Sequence, residues 1–402
     1  MRGFGKIQAQ SKLVRFIAAA ALASVAFLPV VPSAAQSLDR FYENSEGAPH
    51  VSLINGAEKT LELEVYTLKS TKIMNALKKA MERGVKLSIV QDADPVDACK
   101  VFYPVGPSDD VKCQEMKGFV KHVKKNGGVY VPFNKNFCAP GGVCFQHGKI
   151  IVADSKLVML STGNFNPSNL CDKAENPSIC NRDYTVVSRD PVVVKAIQSI
   201  VRADTENRAS DISGIVSSTG GRISVSPFSL DPLVRFIDSA KKTVQLENQY
   251  LKNPDLNAAI VRAARRGVKV FIMVSSACSF GRPDQSAIQS WTLTYSEFDA
   301  AGVNTKTFNA SIPVNGRPGY LHTKAILVDS KRAWVGSVNG STASLTRNRE
   351  FGIFTEEPEF VKKLAQHMYQ NFTERNAQTW KQSLRCEKDY NVPAPKPDDG
   401  GN

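Results

Sequence analysis

The sequence predicts an α/β protein built from two homologous halves, each a mixed β-sheet flanked by helices and related to the other by a pseudo-twofold axis. Two observations predict this fold. A segment that starts at Ala57, AEKTLELEVYTLKSTKIMNALKKAMERGVKLSIV, is repeated from Ala240 as AKKTVQLENQYLKNPDLNAAIVRAARRGVKVFIM. A second segment, HGKIIVADSKLVMLSTGN from His147, recurs from His322 as HTKAILVDSKRAWVGSVN. Strand and amphipathic helix patterns alternate in each copy, which is typical of helices layered on a sheet.

The first element is an N-terminal targeting segment. Four basic residues precede an apolar stretch at 16–31: Arg2, Lys6, Lys12 and Arg15. Small residues at Ser33 and Ala35 follow, which is the order found in a secretory signal peptide. We therefore expect residues 1–35 to be removed and the mature protein, starting near Gln36, to be secreted or periplasmic. An uncleaved anchor helix is the alternative, but the apolar stretch is short and contains Pro29.

Each half then continues with strand, helix and strand, and the Gly of each RGVK sequence marks the end of that helix. A second helix and strand lead into each histidine segment. In these second helices three residues of the first half share their phase with three of the second: Met116, Val120 and Val123 with Trp291, Tyr295 and Phe298. Because the counterparts of the aromatic residues are ordinary apolar side chains, we interpret the stripe as core packing rather than membrane docking.

The domain limits follow from changes in composition. The first half spans 36–202 and the second 223–388, because apolar periodicity gives way to Ser, Gly and charged residues at 203–222, which we interpret as a linker. Residues 389–402 have Pro, Asp and Gly without an apolar pattern, and we expect a disordered tail.

Cysteine usage agrees with export. All 8 cysteines follow the predicted cleavage site and none forms a CxxC pair, which favours disulfides over zinc or redox chemistry. Sequence does not determine connectivity, but the separations suggest three local pairs and leave a fourth by elimination: Cys99–Cys113, Cys138–Cys144, Cys171–Cys180 and Cys278–Cys386.

The formal net charge is +13, and it falls to +9 without residues 1–35, which contain four basic residues and no acidic one. Such a surface suits an anionic partner. Phospholipid, with peripheral contact to an anionic membrane, and nucleic acid are both compatible with it, and no obligate protein partner is evident.

The repeated histidine segment carries the chemistry. Side chains two apart on a strand share a face, so His147 pairs with Lys149 and His322 with Lys324. A lysine ammonium repels a metal ion but neutralises phosphate oxygens, while an imidazole can attack phosphorus or move a proton. This combination indicates a phosphate site that needs neither a metal nor a cofactor.

The repeated pattern resembles that of the phospholipase D superfamily, H-x-K-x4-D-x6-G-S-x-N in two copies. The second copy matches it at every position: His322, Lys324, Asp329, Gly336, Ser337 and Asn339. The first copy keeps His147, Lys149, Asp154 and Asn164 but has Ser161 in place of Gly and Thr162 in place of Ser.

The resemblance implies one active site shared by the two halves. His147 would attack the phosphorus and His322 would protonate the leaving oxygen, although the sequence alone permits the reverse. The family's acidic partners of the histidines correspond to Asp183 and Glu350, which would fix the imidazole tautomers. The remaining motif residues would hold the phosphate, support it or serve the fold: Lys149, Lys324, Asn164 and Asn339 as ligands, Thr162 and Ser337 as support, and Asp154 and Asp329 as structural residues.

These implications lead to an expected function. We expect an exported phosphodiesterase that hydrolyses phospholipid to phosphatidic acid and a free headgroup through a phosphohistidine, with headgroup exchange as a side activity. An exported, metal-independent nuclease is the alternative. Cardiolipin-synthase-like activity is a weaker variant, since no spanning segment remains after cleavage. A non-catalytic binding module is disfavoured by intact motifs in both halves.

Overall fold

Two mixed β-sheets form the centre of the protein in a computed structural model that describes residues 37–385 except 97, 108, 138–143, 280–282, 312, 314 and 315. The predicted signal peptide at 1–35 and the predicted tail at 389–402 lie outside the described residues. The two sheets and their flanking helices confirm the predicted fold class.

The first sheet has seven strands: β1 (Asp39–Glu43), β2 (Thr60–Val65), β3 (Lys86–Gln91), β4 (Val129–Pro132), β5 (Lys149–Ala153), β6 (Leu157–Ser161) and β7 (Tyr184–Ser188). Their order is β1-β7-β6-β5-β2-β3-β4. The pairs β2–β3 and β3–β4 are parallel and the other pairs are antiparallel.

The second sheet repeats this arrangement with one added strand: β8 (Ile223–Ser226), β9 (Thr243–Asn248), β10 (Lys269–Ser275), β11 (Asn304–Phe308), β12 (Ala325–Val328), β13 (Arg332–Gly336), β14 (Glu350–Thr355) and β15 (Ala377–Thr379). Its order is β15-β11-β10-β9-β12-β13-β14-β8. Apart from β15 at the edge, each strand has a counterpart at the same place in the first sheet, so the sequence duplication is a duplication of topology.

Helices cover the sheet faces: α1 (Ala48–Gly56), α2 (Thr71–Glu82), α3 (Val111–Lys125), α4 (Pro167–Leu170), α5 (Pro191–Thr205), α6 (Ile212–Ser218), α7 (Leu230–Asp238), α8 (Pro254–Arg265), α9 (Gln285–Ala300), α10 (Thr342–Thr346), α11 (Pro358–Thr373) and α12 (Trp380–Ser383). Ser70 and Asn253 cap the equivalent helices α2 and α8. The chain leaves these helices through the glycines of RGVK, Gly84 and Gly267, at φ 89° and 86°, a conformation that glycine adopts without strain.

Each half has its own hydrophobic core, and a third core lies between the halves. The second helices contribute as predicted, since Tyr295 and Phe298 of α9 are buried in the core and Trp291 packs against it half-buried. The third core joins residues of both sheets to α5 and α11, including Ile150, Ile197, Leu327, Phe351 and Leu364. Its apolar contacts hold the two halves in one fixed arrangement.

The segment 203–222, which we interpreted as a linker, lies between the two sheets but contains regular structure. It includes the end of α5 and all of α6. The Asp211 side chain accepts a hydrogen bond from Gly214 N and so caps α6, while Ile212 is buried against the shared core. The interpretation missed this helix because its apolar residues are too few to give a periodic pattern.

Two of the predicted disulfides lie within the described residues, Cys99–Cys113 and Cys171–Cys180, and both are formed. Cys144 and Cys278 are disulfide-bonded as well, but their predicted partners, Cys138 and Cys386, lie outside the described residues. No helix within the described ranges is long and apolar enough to cross a membrane.

Candidate active site

The candidate site lies where two short backbone contacts join the halves. Arg349 N donates to Phe145 O at 2.9 Å, and His147 N donates to Arg349 O at 2.8 Å. The equivalent contact joins Arg182 to the other motif, with His322 N donating to Arg182 O at 2.9 Å. Each histidine segment is therefore aligned with the segment that carries the other half's acidic residue.

Two ion pairs reinforce this alignment. Arg349 pairs with Asp204 of the first half at 3.0 Å, and both side chains are almost fully buried. Arg182 pairs with Glu374 of the second half at 2.7 Å and with Glu43 at 3.0 Å. Because removing one member of a buried ion pair leaves an uncompensated charge, the Arg349–Asp204 contact resists separation of the halves.

The acidic residues pair with the histidines in a crossed pattern. His147 Nδ1 lies 2.9 Å from Oε2 of Glu350, and His322 Nδ1 lies 2.9 Å from Oδ1 of Asp183. All four side chains are at most 4% exposed. A carboxylate on Nδ1 favours the tautomer with its proton on that nitrogen, which leaves the Nε2 lone pair for chemistry.

The environment of Glu350 keeps it ionised. Burial alone would raise its pKa, but the charge and hydrogen bond of His147, the Lys149 ammonium and a hydrogen bond from Ser344 together lower it below its usual value. Asn348 Nδ2 donates to the same carboxylate at 3.1 Å. A charged Glu350 can therefore stabilise an imidazolium on His147.

Both motif lysines turn back toward their own histidine. Lys149 Nζ donates to His147 O at 2.6 Å, and Lys324 Nζ donates to His322 O at 2.5 Å. Neither lysine side chain is exposed. Two ammonium groups held at the two histidine segments can neutralise the charge of a bound phosphate.

The motif asparagines present polar groups that the described residues leave unsatisfied. Both side-chain polar atoms of Asn164 and the side-chain oxygen of Asn339 are buried without a hydrogen-bond partner among the described residues. Buried amides are normally hydrogen-bonded, and unsatisfied ones mark places where a ligand or water binds. The side-chain nitrogen of Asn164 can donate to a non-bridging phosphate oxygen.

Thr162 and Ser337, predicted as support for the phosphate ligands, use their hydroxyls within the protein. Thr162 Oγ1 donates to Asp183 Oδ1 at 2.7 Å and accepts from Tyr184 N at 2.8 Å. Ser337 Oγ accepts from Phe351 N at 3.1 Å. The two hydroxyls therefore fix the strands that carry the carboxylates rather than contact a phosphate directly.

Asp154 and Asp329, predicted as structural residues, stand at the end of the motif strands. Each carboxylate accepts hydrogen bonds from three successive backbone amides that lead into β2 or β9. Desolvation would raise the pKa of each aspartate, but these backbone bonds hold it below the usual value. Both side chains thus serve the fold and lie away from the histidines along the strand.

The departure at Ser161 has a packing explanation. A Cβ on its counterpart Gly336 would lie 2.6 Å from Phe351 O and 2.6 Å from Cζ2 of Trp334. Glycine is required there because the indole occupies the space, whereas the residue two before Ser161 is the slimmer Met159. The first half can therefore hold a serine at this position.

Sequence reasoning missed two residues that hold the carboxylates. Asn169 Nδ2 lies 2.8 Å from Asp183 Oδ2 and 3.1 Å from His322 Nδ1. Its counterpart Ser344 hydrogen-bonds Glu350 Oε1. Each lies on a short helix, α4 or α10, five residues after the motif asparagine. That equal offset in the two copies was the available signal.

The arrangement supports phosphoryl transfer between two imidazoles. One Nε2 can attack phosphorus while the other, protonated, gives its proton to the leaving oxygen, and the lysines and asparagines neutralise the oxygens between them. Among the described side chains, no three His, Cys, Asp or Glu are grouped to hold a metal ion. Independence from metal stays a prediction.

Comparison with known proteins agrees with the motif. The family described as cardiolipin synthase, PLD-like domain, matches residues 51–204 and 233–372. A cardiolipin synthase of Clostridium perfringens is 24% identical over 345 residues, which cover 79% of this chain and 66% of that protein. A cardiolipin synthase A of Wigglesworthia glossinidia brevipalpis is 34% identical over 135 residues, 33% of this chain and 24% of that protein. The chain thus spans slightly less than two thirds of one relative and about a quarter of the other.

A solved structure shows the same fold. Phosphatidylserine synthase from Haemophilus influenzae Rd KW20 superimposes with a TM-score of 0.59 at 14% identity, over 86% of this chain and 88% of that one. The family match includes both histidine motifs and most of both sheets. The chain therefore belongs to the phospholipase D superfamily, as a protein with two PLD-like halves.

Proposed function

We propose that this protein is a phospholipase D-type phosphodiesterase that cleaves the headgroup bond of a phospholipid, releasing phosphatidic acid and a free headgroup. The observation that carries the proposal is the pair of buried imidazoles, each held at Nδ1 by a carboxylate of the opposite half. Two such groups, equally prepared, suit a reaction that needs one nucleophile and one proton donor at the same phosphorus.

The reaction proceeds in two steps. His147 Nε2 attacks the phosphorus and forms a P–N bond as the P–O bond to the headgroup breaks, while His322 gives its Nε2 proton to the departing oxygen. Water then attacks the phosphohistidine and passes a proton to His322, and the P–N electron pair returns to His147. Lys149, Lys324 and the motif asparagines hold the non-bridging oxygens throughout.

An alcohol can replace water in the second step, which would transfer the phosphatidyl group instead of hydrolysing it. The names of the relatives, cardiolipin synthase and phosphatidylserine synthase, support a phosphatidyl substrate and an alcohol acceptor. The site itself is compatible with either acceptor because His322 can take a proton from any hydroxyl. We therefore include transphosphatidylation in the proposed activity.

We also propose that the protein acts outside the cytoplasm. The order of charges, apolar residues and small residues at 1–35 supports export, as do the disulfides Cys99–Cys113 and Cys171–Cys180. Fractionation of cells that express the full chain, followed by mass determination of the mature N-terminus, tests this. Export predicts a protein that starts near Gln36 and has no free thiol.

The activity is tested on the mature protein with vesicles of phosphatidylglycerol and of phosphatidylcholine, with and without an added alcohol. His322→Ala serves as the inactive variant, and His122→Ala, on the outer part of α3, as the matched control. Headgroup release that is lost only in His322→Ala supports the proposal, and a phosphatidyl alcohol product establishes transfer. Cleavage of single-stranded DNA without lipid turnover would refute the proposed lipid activity and show that the protein is a nuclease.

A further inference from the structure

The helix α3 differs from its pseudo-symmetric counterpart in charge. It carries five lysines, at 112, 117, 121, 124 and 125, whereas α9 has none. Lys112 and Lys117 pair with acidic side chains. Lys121, Lys124 and Lys125 are exposed, and no acidic side chain among the described residues lies within 4.0 Å of them. The helix α3 therefore presents a basic face that its counterpart α9 lacks.

Exposed apolar side chains stand at the start of the same helix. Tyr103 and Val105 are each 51% exposed, and Val111, the first residue of α3, is 83% exposed. Val111 shares a helical stripe with exposed residues at 114, 118, 121 and 125. At a rise of about 1.5 Å per residue, this stripe is roughly 21 Å long, apolar at one end and basic at the other.

The connection that leads to the apolar end begins beside the active site. The connection that carries Tyr103 and Val105, residues 92–110, is closed onto α3 by the disulfide Cys99–Cys113. Near its start, Val96 N donates at 2.7 Å to the hydroxyl of Tyr66, whose ring lies edge-on to His147 at 5.0 Å between centroids. The corresponding connection of the second half, 276–284, is ten residues shorter.

We propose that this surface, defined as Tyr103, Val105 and Val111 with Lys121, Lys124 and Lys125, docks the protein on an anionic phospholipid bilayer. Aromatic and apolar side chains enter the interface between headgroups and acyl chains, while lysines along a helix face bind the anionic headgroups. A bilayer in contact with α3 would meet the protein at the end of the connection that starts at Tyr66 and His147. The inference rests on the proposed function, because docking would bring the enzyme to the membrane that contains its lipid substrate.

The test measures equilibrium binding, which does not depend on turnover. Mature His322→Ala protein is sedimented with vesicles of phosphatidylcholine alone and with added phosphatidylglycerol. We expect tight binding only to the anionic vesicles. Replacing the three lysines of the surface with Gln should weaken it about 100-fold, because each lysine near an anionic surface contributes roughly a fivefold factor. A variant with Tyr103→Ser, Val105→Ser and Val111→Ser should bind more weakly than the parent at high salt, where the lysines are screened.

The matched control replaces three exposed lysines elsewhere, Lys195, Lys362 and Lys363, with Gln. This variant should bind like the parent. Equal weakening in both triple variants would mean that net charge alone binds vesicles and would overturn the proposal, as would no vesicle binding by the parent or binding of single-stranded DNA in its place.

Activity separates this inference from the proposed function. The α3 variant, with Lys121, Lys124 and Lys125 replaced by Gln in the otherwise wild-type protein, should hydrolyse the soluble diester bis(p-nitrophenyl) phosphate at a rate within twofold of wild type. It should lose turnover of vesicle lipid. Vesicle binding without any lipid turnover would leave the docking surface standing and refute the proposed function. Lipid turnover that is unchanged in the α3 variant would refute the docking surface and leave the proposed function standing.

Discussion

Replacing Glu350 with Gln tests the crossed pairing of histidines and carboxylates. The Gln can stay in place, because its oxygen can still accept from Ser344 and Asn348 while its NH2 group faces His147. An NH2 donor at Nδ1 stabilises the tautomer with its proton on Nε2, which removes the lone pair that attacks phosphorus. We therefore expect a folded protein in which His147 is held in the tautomer that cannot attack phosphorus.

The magnitude follows from two losses. A hydrogen bond to a charged group contributes about 1.5 to 3 kcal/mol, and breaking the new Gln bond to recover the reactive tautomer costs a further 1 to 3 kcal/mol or so. The sum, about 3 to 6 kcal/mol, corresponds to a decrease in kcat of roughly 10² to 10⁴-fold. Glu350→Asp should recover part of the rate. A Glu350→Gln variant with more than about one tenth of the wild-type kcat would refute the reasoning.

The same experiment identifies the nucleophile. A p-nitrophenyl diester has a leaving group that needs little protonation, so formation of the phosphohistidine on His147 should survive Asp183→Asn, which impairs His322. Glu350→Gln should slow it by roughly 10² to 10⁴-fold, as estimated for kcat. Rapid quench of a single turnover, followed by mass analysis of the acid-labile adduct, measures both. The opposite pattern would assign the nucleophile to His322.

Four further substitutions test the fold around the site. Asp329→Ala removes the acceptor of three backbone amides before β9 and should lower the free energy of unfolding by about 2 to 4 kcal/mol in urea, and a loss under 0.5 or so would contradict that role. Burial raises the pKa of Glu64 well above its usual value. The unfolded chain therefore releases this proton at a lower pH than the folded protein, and wild-type stability falls as pH rises from the usual glutamate pKa to the raised one. Glu64→Gln should therefore raise Tm more at pH 8 than at pH 5, and equal shifts would contradict the burial argument. Gly336→Ser, against Trp334, should destabilise by about 1 to 3 kcal/mol, whereas Ser161→Gly should change stability by less than that, as chemical denaturation will show.

The sequence predicted the parts of the site that recur locally. The two motif copies indicated which strands, β5 and β12, the histidine segments lead into. The spacing placed Asp154 and Asp329 just beyond those strands, where each carboxylate accepts backbone hydrogen bonds. Both signals lie within a single strand and turn, where the alternation of side chains decides what each residue faces. No knowledge of the other half is needed for them.

The crossing of the carboxylates could not be predicted in the same way. Asp183 and Glu350 each follow a motif in their own half, and the sequence order suggests that each would serve its own histidine. The pairing depends on the backbone contacts of Arg182 and Arg349 across the interface. Those contacts depend in turn on the core shared by α5 and α11, and no local pattern encodes how two sheets meet.

The framework supports both imidazoles equally, so it does not by itself decide which one attacks. Each carboxylate pairs with its histidine and accepts hydrogen bonds from two further side chains. These are Ser344 and Asn348 for Glu350, and Thr162 and Asn169 for Asp183.

The two histidines differ in the residues that surround them. Tyr66 contacts His147 and anchors the long connection 92–110, while the position equivalent to Tyr66 in the second half is Gln249. If the phospholipid enters from the bilayer along α3, its phosphatidyl part lies on the His147 side and its headgroup points toward His322. Attack by His147 with protonation by His322 then follows from the direction of entry. The docking surface and the nucleophile are thus linked, and an adduct on His322 would count against the proposed orientation of the lipid.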